Sequence, residues 1–143
     1  MNIFVDPDPA LTEDLRTRLL EVWSEVDPFE GAHDEIFVPG PIIAANEQTR
    51  FVGGLSFTSA TRPNSEDICV WINAVLVDQD FRGQGVASLL IREAEHVAQR
   101  LGIVELFVLS EYPALYTKRS WQEVSKHNKE FILTKSLPVQ GTR

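Results

Sequence analysis

The chain has a single cysteine, Cys69, in 143 residues. One thiol cannot form an internal disulfide and offers no thiolate cluster. The three histidines and the carboxylates fall into no set at ligand spacing, so no metal is expected. No apolar run approaches the ~20 residues of a membrane-spanning helix. The opening Met1-Asn2-Ile3-Phe4-Val5 runs straight into Asp6-Pro7 and is no signal peptide. A membrane is therefore not an expected partner, and the cytoplasm is the natural location. Positive charge is scarce as well: 13 Lys and Arg stand against 21 Asp and Glu, for a net charge of −8. Nucleic-acid binding over a broad surface needs basic patches that displace counterions, so nucleic acid is not expected either. An acidic surface suits a cationic partner such as a free amine, and it equally serves plain solubility. Repeats, low-complexity tracts and interdomain linkers are missing. The length suits one core, so residues 1–143 read as a single domain.

What is present is organised around one stretch. Ile68 to Leu76 is apolar enough for a strand, and Val77-Asp78-Gln79-Asp80-Phe81-Arg82-Gly83-Gln84-Gly85-Val86-Ala87-Ser88 follows it. Beyond lie Ala87, Leu90, Ile91, Ala94, Val97, Ala98 and Leu101, spaced to line one face of a helix. A buried strand thus feeds a glycine-rich turn that opens a helix. The first helical turn has N–H groups without internal partners, and its dipole favours negative charge. Glycine lets a ligand approach those amides. The chemistry implied is an anion site, above all for a phosphate or pyrophosphate. A dinucleotide fingerprint needs its glycines close behind the strand. Here five residues, Asp78 to Arg82, intervene, and Ser88 stands at the third glycine position. The P-loop is excluded, because no Gly-Lys-Ser or Gly-Lys-Thr occurs.

The remaining elements follow in order. Met1 to Val5 reads as a strand, and a helix starting at Asp8-Pro9 or Thr12 carries Leu15, Leu19, Val22, Trp23 and Val26 on one face. Asp27 to Glu35 is a broken, charged connection. Pro41–Glu47 and Arg50–Thr58 form a hairpin turning at Gln48-Thr49, with Gly53-Gly54 marking a bulge or a close backbone approach. Ser59 to Asp67 reads as a polar loop. After the helix, Gly102 is a stop, and Val104 to Leu109 is a second buried strand. A strand, a crossover helix and a strand imply a parallel pair. Pro113 to Arg119 suits a short helix, Gln122–Lys126 and Glu130–Lys135 a last hairpin, and Pro138 to Arg143 a tail. The class is α+β, with a mixed, mostly antiparallel sheet of about seven strands flanked by helices.

Arg82-x-x-Gly85-x-Ala87 resembles the Gln/Arg-x-x-Gly-x-Gly/Ala signature of the GNAT superfamily of N-acetyltransferases. The flanking Val77-Asp78-x-x-Phe81-Arg82-Gly83-x-Gly85 is similar to the family's Val-Asp-Pro-Glu-Tyr-Arg-Gly-Lys-Gly, with Gln79 where Pro is common. The element order agrees along nearly the whole chain. A second family helix would have to fit within Asp27 to Glu35. The resemblance implies a GNAT-like sheet splayed at its central parallel pair, with acetyl-CoA in the gap. The backbone of Val75, Leu76 and Val77 would hold the pantetheine arm. Arg82, Gly83, Gln84, Gly85, Val86, Ala87 and Ser88 would hold the pyrophosphate, with Lys118 and Arg119 as weaker sources of positive charge.

Leu115-Tyr116-Thr117-Lys118-Arg119-Ser120-Trp121 resembles the family's Leu-Tyr-Glu-Lys-Leu-Gly-Phe, with Ser120 in place of Gly. The resemblance implies that Tyr116 protonates the leaving CoA thiolate. A phenol suits that task, with a reference pKa near ~10 against ~8.5 for a thiol. The base that deprotonates the amine is open. Glu111 is the first candidate, and His33, Asp34 and Glu35 are others. Asn73 could position a water, and a chain of waters could serve instead. Cys69 reads as a core thiol, and His96 as a solvent-facing residue. The expected activity is acetyl transfer from acetyl-CoA to a primary amine of a small molecule or peptide, by direct attack in a ternary complex. The alternative is a non-catalytic CoA-binding regulatory module. A homodimer stays open.

Overall fold

In the computed structural model, which describes residues 1–5, 9–22, 36–48 and 50–138, seven strands form one sheet. The chain runs β1 (Asn2–Val5), α1 (Pro9–Val22), β2 (Ile42–Ala45), β3 (Phe51–Thr61), β4 (Ile68–Val77), a 3-10 turn (Gln79–Phe81), α2 (Val86–Arg100), β5 (Glu105–Ser110), α3 (Ala114–Thr117), β6 (Gln122–His127) and β7 (Glu130–Ser136). The strand order is β1-β2-β3-β4-β5-β7-β6. Every pair is antiparallel except β4 with β5. The connection of β4 to β5 through α2 is the crossover a parallel pair requires.

The two sheet faces carry different cores. On one, Val70 and Ile72 of β4, Leu106 and Val108 of β5 and Leu133 of β7 pack against Leu90, Ile91, Ala94, Val97 and Ala98 of α2. On the other, Leu11, Leu15 and Leu19 of α1 cover Ile43 and Phe51, with Ala74 and Leu76 at the margin. Alternation alone would keep Ile72 and Leu76 on one face; the register shift between Ile72 and Ala74 reverses the phase, so Ile72 lies on the first face and Ala74 and Leu76 on the second. Helical spacing puts residues 11, 15 and 19 on one stripe. Arg18 anchors α1 further: its Nε and Nη2 donate to the Asp78 carboxylate at 2.9 and 3.4 Å, and its guanidinium lies 4.4 Å from the centre of the Phe51 ring.

β4 and β5 pair at only two positions, Trp71↔Phe107 and Ile72↔Val108. Beyond these, β4 keeps β3 as far as Gly53↔Val77, while β5 keeps β7 as far as Ser110↔Phe131. The divergence begins at a bulge. Ser56 pairs with Ala74 and Phe57 with Ile72, which leaves Asn73 as an extra residue in β4. Such an insertion bends the strand and increases its twist, here away from β5.

Several sequence expectations shift by a few residues. The polar loop is shorter than Ser59–Asp67, because Ser59, Ala60 and Thr61 continue β3 opposite Val70, Cys69 and Ile68. Pairing with a long partner strand outweighs the weak β-propensity of Ala60. Leu101, expected on the buried stripe of α2, is 49% exposed, and Val86 is buried at the other end of the helix instead. Val104 and Leu109, expected in a buried strand, are exposed beside the buried Leu106, Phe107 and Val108. Trp23, Val26 and the Asp27–Glu35 connection lie outside the described residues, as do Thr49 and positions 139–143.

Gly53 and Gly54 mark both a bulge and a close approach. The β2–β3 register slips between Ala44 and Ala45, next to Gly53. A Cβ on Gly53 would lie 2.8 Å from the Leu76 carbonyl oxygen, and one on Gly54 would lie 2.6 Å from Leu15 Cδ1. The first obstacle is backbone of the splayed strand and the second is the tip of a side chain. Gly53→Ala is therefore expected to destabilise by about 1–3 kcal/mol, and Gly54→Ala by less. Urea denaturation of both variants checks the order.

Candidate active site at the splayed strands

The turn that ends β4 is held from several sides. The Asp78 N–H donates to the Val52 carbonyl at 2.8 Å, and the Phe81 N–H to the Asp78 carbonyl at 2.9 Å. Arg82 folds back, its Nε donating to the Val77 carbonyl at 3.1 Å. The residue is exposed. Gly83 and Gly85 follow with φ of 78° and 81°, the left-handed region that favours glycine. Gly85 is the N-cap of α2 and supplies no capping side chain. The first helical bond runs from the Leu89 N–H to the Gly85 carbonyl at 3.0 Å. The N–H groups of Gly85, Val86, Ala87 and Ser88 therefore precede any possible helical acceptor. A Cβ on Gly83 or Gly85 would meet nothing within 4 Å, so the turn opens to the outside. Amides without helical acceptors, a helix dipole and an arginine make an anion cradle.

Val75, Leu76 and Val77 lie where β4 has lost β5, so the edge that β5 would cover carries backbone polar groups along the gap. Their side chains are half-buried. Val75 and Val77 pack on the α2 side and Leu76 on the α1 side.

Tyr116 is 3% exposed, within the core cluster on the α2 side. Burial pushes its phenol well above the usual tyrosine range, so it stays protonated at neutral pH. Its backbone closes α3: the Trp121 N–H donates to the Tyr116 carbonyl at 3.1 Å, and the Ser120 N–H to the Thr117 carbonyl at 3.0 Å. These are the paired bonds of a Schellman ending, with Ser120 at φ 70° in the left-handed position. The apolar contact of that motif is also present, since the rings of Tyr116 and Trp121 meet edge to face at 5.1 Å. α2 ends the same way, with Ile103 N–H to Ala98 carbonyl, Gly102 N–H to Gln99 carbonyl, and Gly102 at φ 80°. Serine thus occupies a conformation that glycine fills elsewhere in the chain.

A cluster that the sequence reading missed lies behind this corner. Glu95 of α2 is 5% exposed. Arg119 donates to it through Nε and Nη2, both at 2.9 Å, Trp121 through Nε1 at 3.0 Å, and Lys135 through Nζ at 2.9 Å. Burial works against the Glu95 charge, but these donors outweigh it and hold the carboxyl below its ordinary range. The sequence carried a signal: Glu95 follows Ile91 by four and precedes Ala98 by three, on the apolar stripe of α2. A carboxylate there demands cationic partners. Arg119 is therefore engaged by Glu95, while Lys118 is exposed.

Glu111 is exposed in the connection between β5 and α3, and Asn73 is exposed at the bulge. His33, Asp34 and Glu35 lie outside the described residues. Cys69 is half-buried, with its thiol 3.6 Å from the Ala60 carbonyl. Burial is the main cause that raises its pKa, which makes it a poor nucleophile. His96 is exposed, as its place on α2 suggested. Among the described residues no group of three His, Cys, Asp or Glu could hold a metal ion, and no helix is long and apolar enough to cross a membrane.

The model of the Acetyltransferase (GNAT) family matches residues 8–120, well over half of the chain. The chain belongs to that family. It is thus an N-acetyltransferase by family, and the mixed sheet opened at its parallel pair is the family fold. Among curated proteins no match is found. Among solved structures, the GNAT N-acetyltransferase YhbS from Escherichia coli in complex with CoA aligns at a TM-score of 0.68 and 17% identity, covering 98% of this chain and 84% of that one. A GNAT acetyltransferase from Listeria monocytogenes aligns at 0.61 and 15%, covering 94% and 95%. NAA60 from Arabidopsis thaliana in complex with a bisubstrate analogue aligns at 0.63 and 15%, covering 97% and 100%. At these identities the likeness is one of fold.

Two outcomes follow for this acetyltransferase. Gly85→Glu sets a carboxylate over the amides of the cradle, where the space is open. Calorimetry is expected to show acetyl-CoA affinity down by ~10²-fold or more on a protein that still folds, and a smaller loss for Arg82→Ala. Ser120→Gly relieves the left-handed strain and is expected to stabilise by about 1 kcal/mol, seen as a raised Tm.

Proposed function

We propose that this acetyltransferase moves the acetyl group of acetyl-CoA directly to a primary amine held in the same complex. The observation that carries the reading is the open amide cradle of Gly83 to Ser88 at the head of a strand whose parallel neighbour has parted from it. In this reading the cradle and Arg82 take the pyrophosphate. The backbone of Val75 to Val77 takes the pantetheine arm as an added strand would, and its amides polarise the thioester carbonyl. The amine nitrogen attacks the carbonyl carbon, the C–S bond breaks, and the sulfur takes the proton of the Tyr116 hydroxyl. The amine proton leaves to water or to Glu111. A raised thiol pKa at Cys69 favours this single transfer over a route through an acetyl-cysteine.

The acceptor follows from charge. At −8 the protein attracts cations, which favours a polyamine, an aminoglycoside-like amine or a basic peptide end over an anionic acceptor. Residues 1–143 act as one domain in this reading, in the cytoplasm. Thioester consumption against a panel of such amines, followed by mass spectrometry, tests it. CoA binding without turnover on any amine would instead identify a regulatory CoA-binding module.

Tyr116→Phe removes one oxygen and leaves the ring against Trp121. The single-turnover rate is expected to fall by ~10²–10⁴-fold, the range of a lost general acid, with acetyl-CoA affinity unchanged. Because the folded-state phenol pKa is raised, the proton donor is present throughout neutral pH and is lost only as pH climbs through that raised value. No fall in kcat from this group is expected below about pH 10, the ordinary phenol pKa. A single-turnover rate like that of the unaltered enzyme would reduce Tyr116 to a packing residue.

A further inference from the structure

We propose that Glu95 is the positioning residue for Tyr116, setting the phenol against the bound thioester through Arg119 and Trp121. This rests on the reading of Tyr116 as the proton donor. α3 has four residues, too few to hold an orientation of its own. What orients it is the corner that follows. The Tyr116 carbonyl accepts from the N–H groups of Arg119 at 2.9 Å and Trp121 at 3.1 Å, and the Tyr116 ring meets the Trp121 ring. Both of those residues end on one buried carboxylate, Glu95, which takes two bonds from Arg119 and one from the Trp121 indole. Lys135 of β7 closes the cluster, donating to Glu95 at 2.9 Å and to the Arg119 carbonyl at 2.7 Å. Glu95 lies on the same helix whose N-terminus forms the cradle, nine positions after Val86. One rigid element thus carries the anion cradle at its start and the anchor of the tyrosine corner further along. The distance between them is set by helix geometry.

Stability alone does not account for such a cluster. Burying a carboxylate with its cations is often no better than apolar packing of the same volume. What charge and bidentate geometry add is direction. Arg119 and Trp121 can satisfy Glu95 together in few arrangements, and each of those fixes Tyr116.

The chain has two tyrosines, Tyr116 and the 68%-exposed Tyr112, so protein labelled with 3-fluorotyrosine has one reporter at the corner and one control. In Glu95→Gln, shape is kept and charge is lost. The Tyr116 fluorine resonance is expected to shift or broaden, while the Tyr112 resonance stays put and circular dichroism shows a folded protein. With acetyl-CoA and an active amine of the panel, kcat is expected to drop ~10–10²-fold, the effect of misplacing a reacting group, with KM for acetyl-CoA unchanged. In a Tyr116→Phe background the same substitution is expected to change kcat by less than about 2-fold, since the two act as a unit. An unmoved Tyr116 resonance in folded Glu95→Gln overturns the proposal, as does an equal loss of kcat in both backgrounds. Should Tyr116→Phe alone keep full activity, the donor reading fails, and the resonance still reports whether Glu95 holds the ring. If Glu95→Gln does not fold, Trp121→Phe removes one bond to Glu95 and keeps a ring on Tyr116. The same two readouts then decide.

Discussion

The extra residue in β4 is the constraint on which the rest depends. With Asn73 unmatched between Ile72 and Ala74, β4 bends after two parallel pairings and leaves β5. A strand normally fills its edge with a neighbour, because buried backbone groups without partners are costly. Here that edge stays open over Val75 to Val77, between two cores that hold the diverging strands. The α2 core grips Val70 and Ile72 below the opening together with Leu106 and Val108 of the other leaf. The α1 core holds Leu76 above it. The gap is thus a product of packing on both faces.

α2 ties that gap to its chemistry. Its N-terminus is the anion cradle, its apolar stripe is the floor beneath both strands, and Glu95 on the same stripe secures the corner that carries Tyr116. An acidic protein faces a difficulty in binding an anionic cofactor, since its long-range field opposes approach. In the proposed reading the chain answers locally, with backbone amides that carry no formal charge and cannot be neutralised. The two carboxylates in the turn each face an arginine: Asp78 is bonded by Arg18, and the exposed Asp80 lies 3.6 Å from Arg50.

Much of this was legible in the amino-acid sequence. The spacing of Leu90, Ile91, Ala94, Val97 and Ala98 determined α2 and its buried face, because a 3.6-residue period admits one solution. Gly83 and Gly85 determined the turn, since left-handed backbone is easy only for glycine. Strand, turn, helix and strand determined the parallel pair, and Arg82-x-x-Gly85-x-Ala87 carried the resemblance to the family. Boundaries slipped at Ser59–Thr61 and Leu101, where pairing and helix position overrode local composition.

Tertiary structure alone decided the rest. No local pattern around Asn73 announces a bulge, because a bulge is a mismatch between two strands and exists only once β3 and β4 are in register. Glu95, Arg119, Trp121 and Lys135 are up to 40 positions apart and meet only when α2, the α3 corner and β7 converge. Arg119 shows the consequence: from sequence it was a candidate for phosphate, and in the fold its guanidinium is engaged by a buried carboxylate. Ser120 shows the converse, since serine gives no sign of left-handed backbone, yet the Schellman bonds of α3 impose it. Sequence periodicity determines which elements form, while long-range pairing of charge and register decides where the reacting groups stand.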